Sequence, residues 1–212
     1  LYHGPNEMWQ THNNSDQIMG DIMLEYKKSF NDHNLNVLAG FHSELWKYKY
    51  TRAYRKNFPS NDLTDINAGS AEGAKAEGYT RELAMLSWLG RLNYDYKGKY
   101  LFEANIRYDG SSRFASGNRW GAFPSFSAGW RISEEEFFEA SKDVIDNLKV
   151  RASWGQLGNQ NITYNGSQQY YPTIPTLGLG ADYPFGGNLQ SGAYTTDAKN
   201  ANLKWETTTS WG

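Results

Sequence analysis

From Tyr100 to Asp109 the chain alternates without a break. Phe102, Ala104, Ile106 and Tyr108 are apolar or aromatic, and Glu103, Asn105, Arg107 and Asp109 between them are polar. A period of two marks a strand whose two faces meet different surroundings. The pattern recurs along the chain. In 17–30, Ile18, Gly20, Ile22, Leu24 and Tyr26 share a face, and in 35–46 Leu35, Val37, Ala39, Phe41 and Leu45 do. Further strands are predicted over 82–96 (Leu86, Trp88, Leu92, Tyr94), 122–132 (Phe126, Ala128, Trp130, Ile132) and 148–157 (Leu148, Val150, Ala152, Trp154). A last strand is entered at 205–211. The opposite faces carry charges of both signs, including Glu103, Arg107 and Arg131. Lipid against one face and a wet lumen against the other is the arrangement of a transmembrane β-barrel.

Connections alternate in length. Asn31-Asp32-His33-Asn34 and Lys97-Gly98-Lys99 are turn chemistry. Residues 133–147, with Glu134-Glu135-Glu136 followed by Phe137-Phe138, predict a short helix with Ser133 and Glu136 as a capping box. Residues 1–15, 47–81, 110–121 and 158–204 lack a sustained period and predict loops. Paired residues of a hairpin share a face. Even numbers point outward in the first strand and odd numbers in the second, so their turn has an even length. Even numbers point outward on both sides of 97–99, which requires an odd turn. Short turns belong in the periplasm and long loops outside, with Tyr94, Tyr96 and Tyr100 in the periplasmic aromatic girdle. Slipping 100–109 by one residue turns Arg107 toward lipid, at a cost of about 2–4 kcal/mol at mid-membrane. The register is therefore tightly fixed.

Composition changes this picture little. Mean hydropathy is −0.75, as expected when only alternate residues meet lipid, and no run of about 18 apolar residues predicts a membrane helix. There are no cysteines, hence neither disulfide framework nor thiolate metal site. A net charge of −2 argues against a nucleic-acid or anionic-membrane partner. The chain opens on no signal peptide.

The segment RYDGSSRFASGNRWGAFPSFSAGWRISEEEFF (107–138), with LKVRASWGQLGNQ (148–160) and ANLKWETTT (201–209), resembles the barrel of the SusC/RagA family. These are TonB-linked outer-membrane transporters of Bacteroidetes. The likeness is specific over 88–160 and again near 201–209; the first eighty residues resemble the family only in pattern. It implies an all-β fold, an antiparallel transmembrane barrel of roughly 22 strands around a plug. All of 1–212 would lie in the barrel domain and supply about seven strands, with the plug outside this chain. It further implies import of a glycan or peptide across the bacterial outer membrane. The implied partners are a SusD-like surface lipoprotein, the TonB complex and the lipid bilayer; no cofactor, nucleic acid or catalysis is implied. A siderophore or cobalamin receptor on the same plan is the nearest rival, and the wording of 107–138 argues against it. A soluble β-sandwich carbohydrate-binding module is a rival of another class; it needs a core closed between two sheets.

Catalytic signals are weak. Adjacent carboxylates such as Glu134–Glu136 cannot flank a substrate as glycosidase acids do. His3, His12, His33 and His42 show no ligand spacing. There is no Walker loop, dinucleotide fingerprint or complete nucleophile elbow. The candidate contacts are Arg113, Phe114, Arg119 and Trp120 in the loop at 110–121. The arginines, with Arg107 and Arg131, either touch solute, plug or partner, or form lumen ion pairs with Glu103 and Asp109. Phe114 and Trp120 either stack on a sugar ring or anchor the loop. The Gly-, Tyr- and Pro-rich 164–187 is either an adaptable binding loop or an outer cover.

Overall fold

The computed structural model describes residues 6–195 and 199–212. Seven strands form one antiparallel sheet in chain order: β1 (Glu7–Phe30), β2 (His33–Lys56), β3 (Ser70–Tyr96), β4 (Tyr100–Ser111), β5 (Trp120–Arg131), β6 (Lys149–Asn159) and a last strand, Glu206–Trp211. Between β6 and that last strand lie six short strands: β7 (Thr163–Tyr164), β8 (Ser167–Gln168), β9 (Leu177–Leu179), β10 (Tyr183–Phe185), β11 (Asn188–Gln190) and β12 (Ala193–Thr195). They pair as three two-stranded ribbons, β7 with β8, β9 with β12 and β10 with β11. The last strand is thus β13. The seven-stranded sheet does not close on itself; β1 and β13 are its edges. No second large sheet faces it among the described residues, so the sandwich reading fails.

The alternation is realised as expected. Trp88 pairs with Tyr108, Leu92 with Ala104 and Tyr96 with Tyr100 across β3 and β4. Phe102 pairs with Ala128 and Ala104 with Phe126 across β4 and β5, and Trp130 with Val150 across β5 and β6. Even numbers meet even numbers throughout these pairs, so one face collects the apolar set. Phe102, Ile106, Tyr108, Phe126 and Val150 are all exposed, each by 41 to 54%. A contiguous exposed apolar face of this extent belongs against lipid.

Strand ends differ from the expectation. Residues 7–15 continue β1, and much of 47–81 is strand rather than loop, because β2 runs to Lys56 and β3 begins at Ser70. The connection shrinks to 57–69, with a 3-10 turn at Ile66–Ala68. The first two strands have 24 residues each and the third has 27, whereas crossing hydrocarbon takes about 9–11. Outside lipid, both faces of a strand tolerate polar residues. The ladder then persists while its period-two hydrophobicity disappears. The first turn is only Asn31-Asp32, still an even length, with Asn31 at φ 50°. At 97–99, Lys97 and Gly98 take positive φ of 57° and 67°, and Lys99 N–H donates to Tyr96 O.

The chain divides into two compact units, 1–18 with 45–83 and 19–44 with 84–212. In the first unit, Phe58 is buried against Gly69, where a Cβ would stand 2.9 Å from its ring. Asn6 clamps Phe58 by accepting from its N–H at 2.8 Å and donating to its carbonyl at 3.0 Å. One run of rings and cations occupies this unit. Arg52 lies 3.4 Å over Trp9, Trp9 packs on Tyr54 at 4.5 Å, and Tyr50 stacks on Tyr79 at 5.0 Å. In the second unit, aromatic pairs mark the two ends of β4. Tyr100 stacks on Trp130 (6.4 Å, 7°) at one end, and Tyr108 on Trp120 (4.9 Å, 16°) at the other.

The capping box is not formed. Residues 132–148 make two 3-10 turns, Ile132–Glu134 and Glu136–Ser141, and no side chain caps either. Ser133 lies inside the first turn, buried, and its N–H donates to Leu148 O at 3.2 Å. Its hydroxyl is buried without a hydrogen-bond partner among the described residues and caps neither turn.

Candidate functional site

The loop between β4 and β5 is a hub. Ser111 N–H donates to Arg119 O across its mouth at 3.1 Å, and Phe114 N–H donates to Ser111 O at 3.4 Å. Phe114 is 1% exposed. Its ring packs on Trp205 at 5.4 Å, and Phe123 meets the same indole edge-on at 5.2 Å. Glycine makes room for these rings: a Cβ at Gly121 would stand 2.6 Å from Phe123, and one at Gly158 would overlap the same ring. Trp205 is therefore a core residue of the loop rather than the start of β13. Its Nε1–H donates to Arg119 O at 2.8 Å.

Arg113 is the charged member of this core, 2% exposed. Nη1 donates to Gln169 O at 3.1 Å, and the guanidinium lies 5.3 Å over Tyr170. With the Gln168 amide oriented to satisfy both its ends, Oε1 accepts from Nη2 at 2.8 Å and Nη1 at 3.2 Å. Among the described residues no carboxylate forms an ion pair with it, and burial pulls its pKa down from the ordinary arginine value. Ser111 Oγ donates to Gln160 Oε1 at 2.6 Å, and Thr173 Oγ1 to Arg113 O at 3.3 Å. Asn118 Nδ2 donates to Ala201 O at 3.2 Å. The hub thus ties down both ends of the long connection between β6 and β13.

The four sequence candidates do not converge on one opening. Arg113 and Phe114 are inside the loop core. Arg119 is exposed at its rim, with Nε donating to Phe114 O at 3.3 Å. Trp120 pairs with Gly110 on the face of the exposed apolar set, its ring against Tyr108. Of the two readings left open, anchoring describes Phe114 as placed.

The polar face of β3–β6 lines a concavity of about 750 Å³ that includes Arg91, Glu103, Asn105, Arg107 and Asp109. Arg91 Nε donates to Asn105 Oδ1 at 2.8 Å, and Asn105 Nδ2 to Glu103 Oε1 at 2.7 Å. Arg107 pairs with Asp109 at 3.2 Å. Arg107 is thus in the ion-pair arrangement that was one of its two readings. The wall is polar and its side chains pair with one another, suited to line a polar passage. Among the described residues no group of three His, Asp or Glu side chains is placed to hold a metal ion; His3 lies outside them.

Sequence reasoning missed two centres. Trp205 was legible only as a strand residue. Glu135 accepts from Lys99 Nζ at 3.0 Å and Trp130 Nε1 at 3.0 Å, with the Tyr100 hydroxyl also bonded to it. The indole, phenol and ammonium together hold its carboxyl down at about 2. Lys99 is 36 residues away in sequence, and no local signal announces that meeting.

Comparison with known proteins matches this architecture. The family model described as "TonB dependent receptor-like, beta-barrel" matches residues 3–212. The chain is 35% identical over 194 residues to the TonB-dependent receptor SusC of Bacteroides thetaiotaomicron, covering 90% of this chain and 18% of that protein. It is 34% identical over 196 residues to TonB-dependent receptor P3 of Formosa agariphila, covering 92% and 19%. The family-model match takes in residues 3–80 as well. This chain thus spans about a fifth of the length of the curated relatives it matches. Among solved structures, the RagAB peptide transporter superposes with a TM-score of 0.79 at 23% identity, covering 95% of this chain and 21% of that one. That likeness speaks for the fold, an open sheet here corresponding to part of a larger barrel. The chain belongs to the TonB-dependent receptor family, in its SusC/RagA branch, and is a piece of an outer-membrane β-barrel wall.

Proposed function

We propose that this chain is seven strands of the wall of a TonB-dependent importer that carries a large solute, an oligosaccharide or a peptide, across the outer membrane. All of 1–212 lies in the barrel domain on this reading, and the plug is contributed by other residues of the same protein. The observation that carries it is the two-faced sheet: an exposed apolar set from Phe102 to Val150 backs directly onto the polar wall of Arg91, Glu103, Asn105 and Arg107. Such a wall lines an aqueous path, and the work this reading gives it is transport. The driving energy enters through TonB and the plug, and a SusD-like lipoprotein covers the outer end. The short turns at 31–32, 97–99 and 132–148 face the periplasm, and the loops at 112–119 and 160–205 face outward. In that setting Arg113 and Phe114 hold the outer loop in shape, Arg119 stands at the rim where a solute or partner meets it, and Trp120 ends the apolar face beside Tyr108.

Uptake by the full-length receptor tests the reading. Cells should take up labelled oligosaccharide or peptide only with receptor and TonB both present, and uptake of a ferric siderophore under the same control would instead support the rival. Sidedness is tested by an impermeant thiol reagent on intact cells. Cysteine at Lys97 should stay unlabelled and one at Asn188 should react; the reverse would overturn the topology.

A further inference from the structure

The turn joining β5 to β6 is much longer than the connection needs, since β1 and β2 are joined by two residues. Its 132–148 segment is not a slack loop. Ser133 N–H bonds to Leu148 O across its base, and Glu135 is held by three donors. The identity of those donors gives the segment its direction. Trp130 and Tyr100 belong to the exposed apolar face of β4 and β5, stacked on each other at its short-turn end. The Glu135 carboxylate, only 13% exposed, therefore draws the turn toward the lipid side of the wall and not toward the lumen side.

The side chains next to that clamp are apolar and uncovered. Phe137 meets Trp130 edge-on at 6.4 Å and is 69% exposed. Val144 is 86% exposed and Ile145 is 43%. Phe137 continues the girdle by one further ring, beyond the end of β5. The same segment carries Glu134, Glu135, Glu136, Glu139, Asp143 and Asp146 against a single cation, Lys142, which bridges Glu139 at 2.7 Å. Apolar residues continuous with a lipid-facing girdle, set among acids, describe an element at the boundary between acyl chains and headgroups. The sign of the charge selects the headgroups. Acids are repelled by an anionic surface, and at a net-neutral one they can accept charge-assisted hydrogen bonds from an ammonium-bearing headgroup.

We propose that residues 132–148 form an interfacial foot. It rests on the leaflet at the short-turn end, places Phe137 and Val144 at acyl-chain level beside the Tyr100–Trp130 girdle, and fits amine-bearing zwitterionic headgroups. Glu135 is its positioning residue. The Trp130 indole N–H, which a girdle tryptophan otherwise turns to water or headgroup, is occupied by that carboxylate, so the clamp and the girdle are one structure.

The proposal rests on the transmembrane reading of the sheet, but not on which side the short turns face. Nitroxide labels at F137C, V144C and, as a control, E139C are placed one at a time in the full-length receptor. The receptor is reconstituted in phosphatidylethanolamine–phosphatidylcholine vesicles, and labels at Ile106 and Ser127 report the wall. Labels at 137 and 144 should favour oxygen over a water-soluble nickel chelate several-fold more than the label at 139. Equal nickel access at all three positions, with 106 and 127 still separated, sinks the foot and spares the wall. Loss of the separation between 106 and 127 sinks the wall reading itself. E135Q should raise nickel access at 144 while heat-modifiable migration of the barrel is kept; unchanged access overturns the role given to Glu135. Replacing half the lipid with phosphatidylglycerol should also raise access at 144, and no response would refute the headgroup preference. Shielding at 137 and 144 from both reagents means a protein covers the turn, which refutes lipid as its occupant.

Discussion

Arginine placed at Ala104 tests the lipid face at its most sensitive point. Tyr100 and Tyr108 carry the two aromatic pairs that bracket β4, and Ala104 is midway between them. Eight residues at about 3.3 Å each give roughly 26 Å along the strand. A tilt of about 40° reduces that to roughly 20 Å along the membrane normal, close to the apolar band of about 25 Å in such barrels. Ala104 therefore sits near the midplane, where an arginine costs about 2–4 kcal/mol, against about 0–1 at the interfaces. That corresponds to a roughly 30- to 900-fold loss in the folding equilibrium constant. Ser127 pairs with Glu103 on the polar face. S127R puts the same charge opposite a carboxylate, within about 0.5 kcal/mol of neutral. The assay is urea unfolding of the full-length receptor in phospholipid vesicles, comparing A104R, Y108R and S127R by midpoint at constant slope. A104R should be the least stable by a clear margin. Equal loss at 104 and 127 would mean that the two faces do not meet different media, and equal loss at 104 and 108 would displace the midplane.

Glu135 titrates at about 2, below its ordinary 4.5. A lowered folded-state value gives a stabilisation that is complete above 4.5 and fades as pH falls from 4.5 through 2. Pepsin cleavage within 132–148 should accelerate across that window, and E135Q should cleave readily throughout it; a pH-independent wild type would refute the clamp. G158A forces a methyl onto the Phe123 ring and should cost about 1–3 kcal/mol by overpacking, with faster amide exchange in 160–173. R113M removes the donors that hold Gln168 and Gln169. It should free that loop to exchange while leaving the urea midpoint of the wall within about 1 kcal/mol. Equal exchange in R113M and wild type would show that the hub does not hold the loop.

Where lipid dictates the pattern, sequence and structure coincide. The pairs from Trp88–Tyr108 to Trp130–Val150 fall on the faces that alternation assigns, because one misplaced arginine there costs more than the local ladder can offset. The failures are the parts of strands that meet water on both faces. Lys47, Lys49, Arg52, Arg55 and Lys56 are strand residues of β2, and so dense a run of cations reads by hydrophobicity alone as loop. Another signal was present. Trp46, Tyr48, Tyr50 and Tyr54 stand at even spacing, with Lys47, Lys49 and Thr51 between the first of them, an alternation of rings with cations and a hydroxyl and not of oil and water. β-propensity, which favours aromatic and β-branched residues, carries that information where hydropathy does not.

The site residues separate along the same line. Trp120 and Phe114 are aromatics in an outer loop, where a ring is equally able to stack on a sugar or to anchor the loop. What decides between them is the partner each meets. Phe114 meets Trp205 from 91 residues downstream and is sealed at 1% exposure, while Trp120 meets Tyr108 across one ladder step. The nearer contact follows from register, since Gly110 opposite Trp120 leaves the indole free to lean over the glycine onto its neighbour. The distant one depends on how the connection after β6 returns to the sheet, and no periodicity within 160–205 encodes that return. Buried Arg113 shows the consequence. Its two terminal guanidinium nitrogens are held by Gln168 and Gln169 and its plane lies over Tyr170, three consecutive residues of that returning chain. An arginine whose sequence readings are a contact with solute, plug or partner or a lumen ion pair is placed instead as the fastening of the loop that covers it.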